Sequence, residues 1–87
     1  MAYEIELSPG ARRAFLKFPA SVRDRIERRI DALAMDPRPP GCVKMSVCAN
    51  TWRVRVGEYR IVFEVYDERL VVIVIRIGHR RDVYDDR

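Results

Sequence analysis

Lysine, histidine, cysteine and long apolar runs are all scarce in this 87-residue chain. There is one histidine, and there are two cysteines and two lysines, which leaves fifteen arginines among the seventeen basic residues. No run of about 18 apolar residues occurs, which excludes a membrane-spanning helix. The opening Met1-Ala2-Tyr3-Glu4 has no basic stretch followed by an apolar one, so no secretory leader is expected and the cytoplasm is the expected compartment. Cys42 and Cys48 stand six apart in one expected strand region, too far along a strand for a disulfide. With a single histidine beside them, a metal-ligand set is not expected, and both cysteines read as small apolar side chains. What remains is 48% hydrophobic and 34% charged. That is the composition of a folded globular chain, and the length predicts one domain over residues 1–87.

Seventeen basic residues against thirteen acidic ones leave a net charge of +4. The charge alone says little, but its carrier matters. Arginine presents a planar fork that binds phosphate bidentately and stacks on bases, whereas lysine is a point charge.

The pattern along the chain predicts an α+β domain: a strand, two helices, then an antiparallel meander of four strands with the helices on one face of the sheet. Residues 3–7 alternate as a strand. Ser8-Pro9 starts a helix, with Ser8 as cap and Pro9 at the first helical position, and that helix runs to about residue 17. Pro19 separates it from a second helix over about residues 20–35. Val22, Ile26, Ile30 and Leu33 form the buried stripe of that second helix. Its other face carries Arg23, Arg25, Glu27, Arg28 and Arg29, either a solvated face or a patch for the backbone of a large RNA. Asp36-Pro37-Arg38-Pro39-Pro40-Gly41 forms a rigid loop. Strands are predicted over residues 42–47, 52–56, 59–66 and 70–77. The last has a continuous apolar run, as a central strand covered on both faces would. The turn at Asp67 decides which face Arg76 takes, and the pattern leaves open whether it holds two or three residues.

Residues 52–60, Trp52-Arg53-Val54-Arg55-Val56-Gly57-Glu58-Tyr59-Arg60, carry the most information. Apolar and basic residues alternate and then turn at Gly57-Glu58. If Val56 pairs with Tyr59, Arg55 faces Arg60 and Arg53 shares their side. Trp52, Val54, Val56, Tyr59, Ile61, Phe63 and Val65 fall on the other. Like charges gathered on a sheet repel, so a polyanion is the expected partner of that face.

After the last strand comes Gly78-His79-Arg80-Arg81-Asp82-Val83-Tyr84. Gly78 is expected to bend the chain and deliver His79, Arg80 and Tyr84 near the sheet edge. These residue types suit phosphodiester cleavage. An RNA 2′-hydroxyl must lose a proton, the pentacoordinate phosphorus must be neutralised and the leaving 5′-oxygen must gain a proton. Arginine stabilises charge, histidine moves protons near neutral pH, and tyrosine donates a hydrogen bond or stacks on a base. Each also has a structural alternative: a histidine that packs, a Tyr84 that covers the sheet edge, an Arg80 paired with Asp82 or Glu64. No acidic cluster is arranged for Mg²⁺, so metal-free chemistry without a cofactor is the simpler expectation.

Arg53 to Phe63, followed at a fixed distance by Ile77 to Tyr84, resembles the RelE/ParE toxin superfamily on its RelE side. Ser8-Pro9-Gly10-Ala11 and the Asp36-Pro37-Arg38-Pro39 loop are similar too, so the resemblance covers nearly the whole chain. It implies the toxin of a type II toxin–antitoxin pair: a ribosome-dependent, metal-free mRNA endonuclease that cuts in the A site and leaves a 2′,3′-cyclic phosphate. It implies a cognate RelB-like antitoxin in a hetero-oligomer, with ribosome and mRNA as the other partners. Carried over residue by residue, Arg60 and Arg80 brace the scissile phosphate and Tyr84 orients or stacks on the nucleotide. Arg55 and His79 complete the catalytic candidates, and Lys44, Arg53 and Arg81 are the RNA-binding ones. RelE enzymes carry lysines where this chain has Arg53 and Arg55, and arginine keeps its proton. Either His79 takes over proton transfer or Arg55 acts only electrostatically. The alternatives on the same fold are a ParE-like inhibitor of DNA gyrase and an inactive antitoxin-binding module.

Overall fold

The alternation of residues 51–66 closes into a hairpin, and the sheet grows outward from it. A computed structural model describes residues 2–45 and 50–79. In chain order the elements are β1 (Glu4–Leu7), α1 (Pro9–Lys17), α2 (Ala20–Met35), β2 (Val43–Lys44), β3 (Thr51–Val56), β4 (Tyr59–Tyr66) and β5 (Val71–His79). The strand order is β1-β5-β4-β3-β2. β1 joins β5 in parallel and the other pairings are antiparallel. The strand–helix–helix–meander order holds, on a mixed but mainly antiparallel sheet.

Both helices begin as their sequence signals require. The Ser8 hydroxyl accepts from the Ala11 N–H at 3.1 Å, with Pro9 at the first helical position. Pro19 occupies the cap position of α2, whose stripe buries Ile26, Ile30 and Leu33. That stripe meets Val54, Ile61, Phe63, Val65, Val72, Val74 and Ile77 in one core, with Val22, Trp52, Val56 and Tyr59 packed at its margin. Phe63 is fully buried at its centre.

Three expectations are corrected. Within residues 42–47 the described strand is only Val43–Lys44, and residues 46 and 47 lie outside the described residues together with Cys48. Cys42 is a free, half-buried thiol that packs beside the core. The β4–β5 turn holds four residues, since Tyr66 pairs with Val71, and Leu70 takes a left-handed conformation at φ 53° to close it. Finally, β5 is an interior strand, yet Ile73 and Ile75 stay half-buried, because the helices cover only one face of the sheet.

A β-bulge completes the arrangement. Val62 pairs with Arg76 and Phe63 with Val74, so Ile75 is the extra residue on β5. Bulges leave a ladder group without its partner and need outside help. Ser8 supplies it: its hydroxyl donates to the Ile75 carbonyl at 3.1 Å, and its backbone N–H bonds the Val74 carbonyl at 2.8 Å. One side chain therefore starts α1 and stitches the bulge.

Candidate nucleic-acid interface

The β3–β4 hairpin pairs Val56 with Tyr59 and Arg55 with Arg60, and Arg53 with Val62. Cross-strand partners share a face, so Arg53, Arg55 and Arg60 stand together on the side away from the helices, as the alternation predicts. Only the first central turn residue, Gly57, has a positive φ (58°), the pattern of a type II′ turn. Arg25 of α2 lies against this turn, and a Cβ at position 57 would run into its guanidinium. A helix residue thus reaches the hairpin tip from the helix-covered side of the sheet.

Arg55 is exposed and Arg53 and Arg60 are half-buried. With Gly41 and Val43 they line an open cavity of about 270 Å³. Val43 is there because it pairs with Arg53. The ion pairs among the described residues lie elsewhere, Arg28 with Asp24 and Arg38 with Asp67. The Arg60 Nε is buried without an acceptor among the described residues. A buried donor left unpaired costs about 1–3 kcal/mol. Two guanidiniums opposite each other add a repulsion of roughly 1 kcal/mol in water-like surroundings. Both penalties reverse when a phosphate supplies oxygens and negative charge between the forks.

The remaining candidates divide. Lys44 pairs with Trp52, so it stands in the row that faces the helices and is not brought to Arg53. Gly78 does not bend the chain: it stays within β5 opposite Arg60, and the strand runs on to His79. His79 pairs with Tyr59 and so takes the helix-facing side. Its ring meets the edge of Tyr59 at 5.7 Å, and Tyr59 meets Phe18 at 5.0 Å. The structure therefore does not bring His79 onto the face of Arg55 and Arg60. Arg80, Arg81 and Tyr84 lie outside the described residues. Of the α2 charges, Arg28 pairs with Asp24, Arg23 reaches the Leu16 carbonyl at 3.4 Å, and Arg25 lies beside the hairpin turn. Among the described residues no group of three His, Cys, Asp or Glu side chains is placed to hold a metal ion, and no helix is long and apolar enough to cross a membrane.

Two positions escaped the sequence reading. The bulge at Ile75 turns Arg76 onto the face of Arg53, in the row Arg53–Val62–Arg76. No local pattern announces it, because the bulge depends on Ser8, far away in sequence. Arg25 belongs by helical spacing to the outer face of α2, and its approach to Gly57 is likewise a tertiary event.

Fold and interface together define a small α+β protein with a cationic sheet face. Known proteins share the fold. The family model for the ParE toxin of type II toxin–antitoxin systems (parDE) matches residues 5–84, and the chain belongs to this family. It is 29% identical over 85 residues to toxin RelG of Mycobacterium tuberculosis, covering 97% of this chain and 98% of that protein. It is 28% identical over 96 residues to the mRNA interferase toxin RelE of Escherichia coli, covering 99% and 94%. The structure of the intact E. coli RelBE toxin–antitoxin complex aligns with a TM-score of 0.80 at 25% identity, over 90% of this chain and 96% of that one. The expected RelE/ParE superfamily and its α+β fold are borne out.

Proposed function

We propose that this toxin is a ribosome-dependent mRNA endonuclease that cuts in the A site and stops translation. The observation that carries this reading is the Arg53–Arg55–Arg60 cluster around an open cavity, with no carboxylate among the described residues paired to it. Its likeness to an mRNA interferase over nearly its whole length supports the same reading. In the reaction the RNA 2′-oxygen loses its proton and attacks the adjacent phosphorus. The P–O5′ bond breaks, the 5′-oxygen gains a proton, and a 2′,3′-cyclic phosphate remains. Arg60, with Arg80, braces the phosphate, and its unpaired Nε–H is a donor ready for a phosphate oxygen. An arginine at position 55 is a hydrogen-bond donor only, so it stabilises the developing charge. Tyr84 orients the nucleotide, and Arg53 and Arg81 hold the flanking backbone. Lys44, at the sheet edge, reaches RNA only from the helix-facing side. The cross-strand register supports an electrostatic role for Arg55 better than a proton-transfer role for His79. Replacement of His79 by Ala is expected to leave cutting intact; loss of cutting in a folded variant would restore the histidine to the mechanism.

The partner is a RelB-like antitoxin, as in the RelBE complex this chain aligns with. A partly acidic segment that folds as it binds would cover Arg55 and Arg60 and neutralise the face. The toxin would act in the cytoplasm, where ribosomes and mRNA are. The decisive experiment adds purified protein to a translating extract and maps mRNA ends by primer extension, beside an Arg60→Ala, Arg80→Ala variant. Cuts within A-site codons that vanish in the variant support the endonuclease. Growth arrest without cuts, with lost gyrase supercoiling, supports the ParE reading that the family model's name favours. Neither effect leaves an antitoxin-binding module.

A further inference from the structure

A second cationic cleft opens on the far edge of the same sheet. β1 ends at Leu7 opposite Val74, so residues 75–79 of β5 have no strand beside them on that side among the described residues. Instead α1 flanks the open edge. Between them lies a cleft of about 440 Å³, lined by Arg13, Ala14, Lys17 and Phe18 on one side and by Arg76 and Gly78 on the other. Arg13 and Lys17 are exposed, one turn apart on α1, and neither joins an ion pair among the described residues. α1 holds no acidic residue at all. Arg76 lines this cleft and also belongs, through the bulge, to the row of Arg53. It stands two strands from Arg53, roughly 10 Å at the usual strand spacing. Arg76 therefore stands between the two cationic regions, on the edge of one and in the cross-strand row of the other.

We propose that the α1–β5 cleft is a phosphate-binding site for the mRNA strand on one side of the cut, with Arg13 and Lys17 holding its backbone and Arg76 linking it to the catalytic face. The assignment rests on the endonuclease reading. The nearness of Arg76 to the Arg53–Arg55–Arg60 face, through the row Arg53–Val62–Arg76, points to the substrate strand. Charge and openness fit a flexible single strand, whose phosphates are gripped by cations along a groove. Phe18, its ring packed against Tyr59 and the core, forms part of the cleft wall.

The test measures binding of a fluorescein-labelled oligouridylate to the full chain across a salt series, without ribosomes. Arg13→Gln with Lys17→Gln removes two phosphate contacts from an exposed helix surface and leaves Ala11 and Phe15 in place. The expected result is roughly tenfold weaker binding at low salt, with the slope of log affinity against log salt smaller by about 1.4, two contacts at about 0.7 each. Thermal unfolding is expected to be unchanged, and Arg13→Lys is expected to retain most of the affinity. Unchanged oligouridylate binding in the double variant overturns the proposal, as does the absence of wild-type binding at low salt. A defect seen only in binding to ribosomes would give the cleft to ribosomal RNA, and a defect seen only in antitoxin binding would give it to a peptide; either overturns the proposal. Primer-extension mapping on the same proteins judges the endonuclease reading separately. Loss of that reading would show as intact wild-type RNA binding without cuts.

Discussion

Arginine does opposite work at two ends of this molecule. At one end Arg38, in the loop after α2, grips both oxygens of Asp67, at 3.2 and 2.8 Å, and lies over the Trp52 ring at 5.3 Å. Tyr3 donates to the same carboxylate at 2.6 Å. One guanidinium there ties the start of β1, the β4–β5 turn and β3 together. At the other end Arg53, Arg55 and Arg60 converge, and none of them joins an ion pair among the described residues. The first cluster is electrically closed and the second is open. A closed cluster shapes the protein, whereas an open one imposes a cost that only an anionic ligand offsets. Charge count alone would not have separated them.

The sharpest way to break the comparison is to remove Arg60. Arg60→Ala is expected to lower cutting by about 10²–10³-fold, the effect of losing one preorganised charge-stabilising donor. Urea denaturation should show little loss of stability, because an unpaired buried donor and a like-charge repulsion disappear together. A large loss of stability with intact cutting would make Arg60 a structural residue like Arg38.

Gly57→Ala comes next. It places a Cβ at positive φ and against Arg25, with an expected cost of about 1–3 kcal/mol in urea unfolding. Most of that cost is the positive φ, because the exposed Arg25 guanidinium can swing aside, so adding Arg25→Ala should recover little. Large recovery would mean that Arg25 is fixed against the turn.

Ser8→Ala should cost about 1 kcal/mol through the lost helix cap, and somewhat more because the Ile75 carbonyl at the bulge loses its donor. The bulge makes a sharper prediction than the energy. If it slips, Arg76 leaves the face of Arg53, and RNA binding weakens although no basic residue has changed.

The smallest effect is at the closed cluster. The hydrogen bond from Arg38, then that from Tyr3, holds the Asp67 carboxyl below the ordinary carboxylate range. Its stabilisation is therefore complete above the unfolded value, about pH 4, and fades as the pH falls through the lower folded value. The Tyr3 hydroxyl, hydrogen-bonded to Asp67, is pushed above the ordinary phenol range. Its share is present below the unfolded value, about pH 10, and fades as the pH rises through the higher folded value. Asp67→Asn should lower the melting temperature slightly at neutral pH, flatten the acid limb of its pH profile and leave cutting untouched. All these groups are solvent-screened, so the shift is small.

Much of this architecture was written locally. Period-two alternation with a glycine turn sets the 56–59 pairing, because side chains on a strand can only alternate between two faces. Ser8-Pro9 and the α2 stripe set the helices, because capping and 3.6-residue spacing act within a few residues. These local patterns are enough to place Arg53, Arg55 and Arg60 on one face. Tertiary structure alone decided the rest. The four-residue turn closed by Leu70 set the phase of β5, and the bulge at Ile75, stitched by Ser8 from the far end of β1, reversed it and brought Arg76 to the cationic face. The same strand carried His79 to the opposite side, against Tyr59. A one-residue shift flips every later side chain, and whether it occurs depends on a hydrogen bond between residues 67 apart. No pattern confined to one segment can encode that.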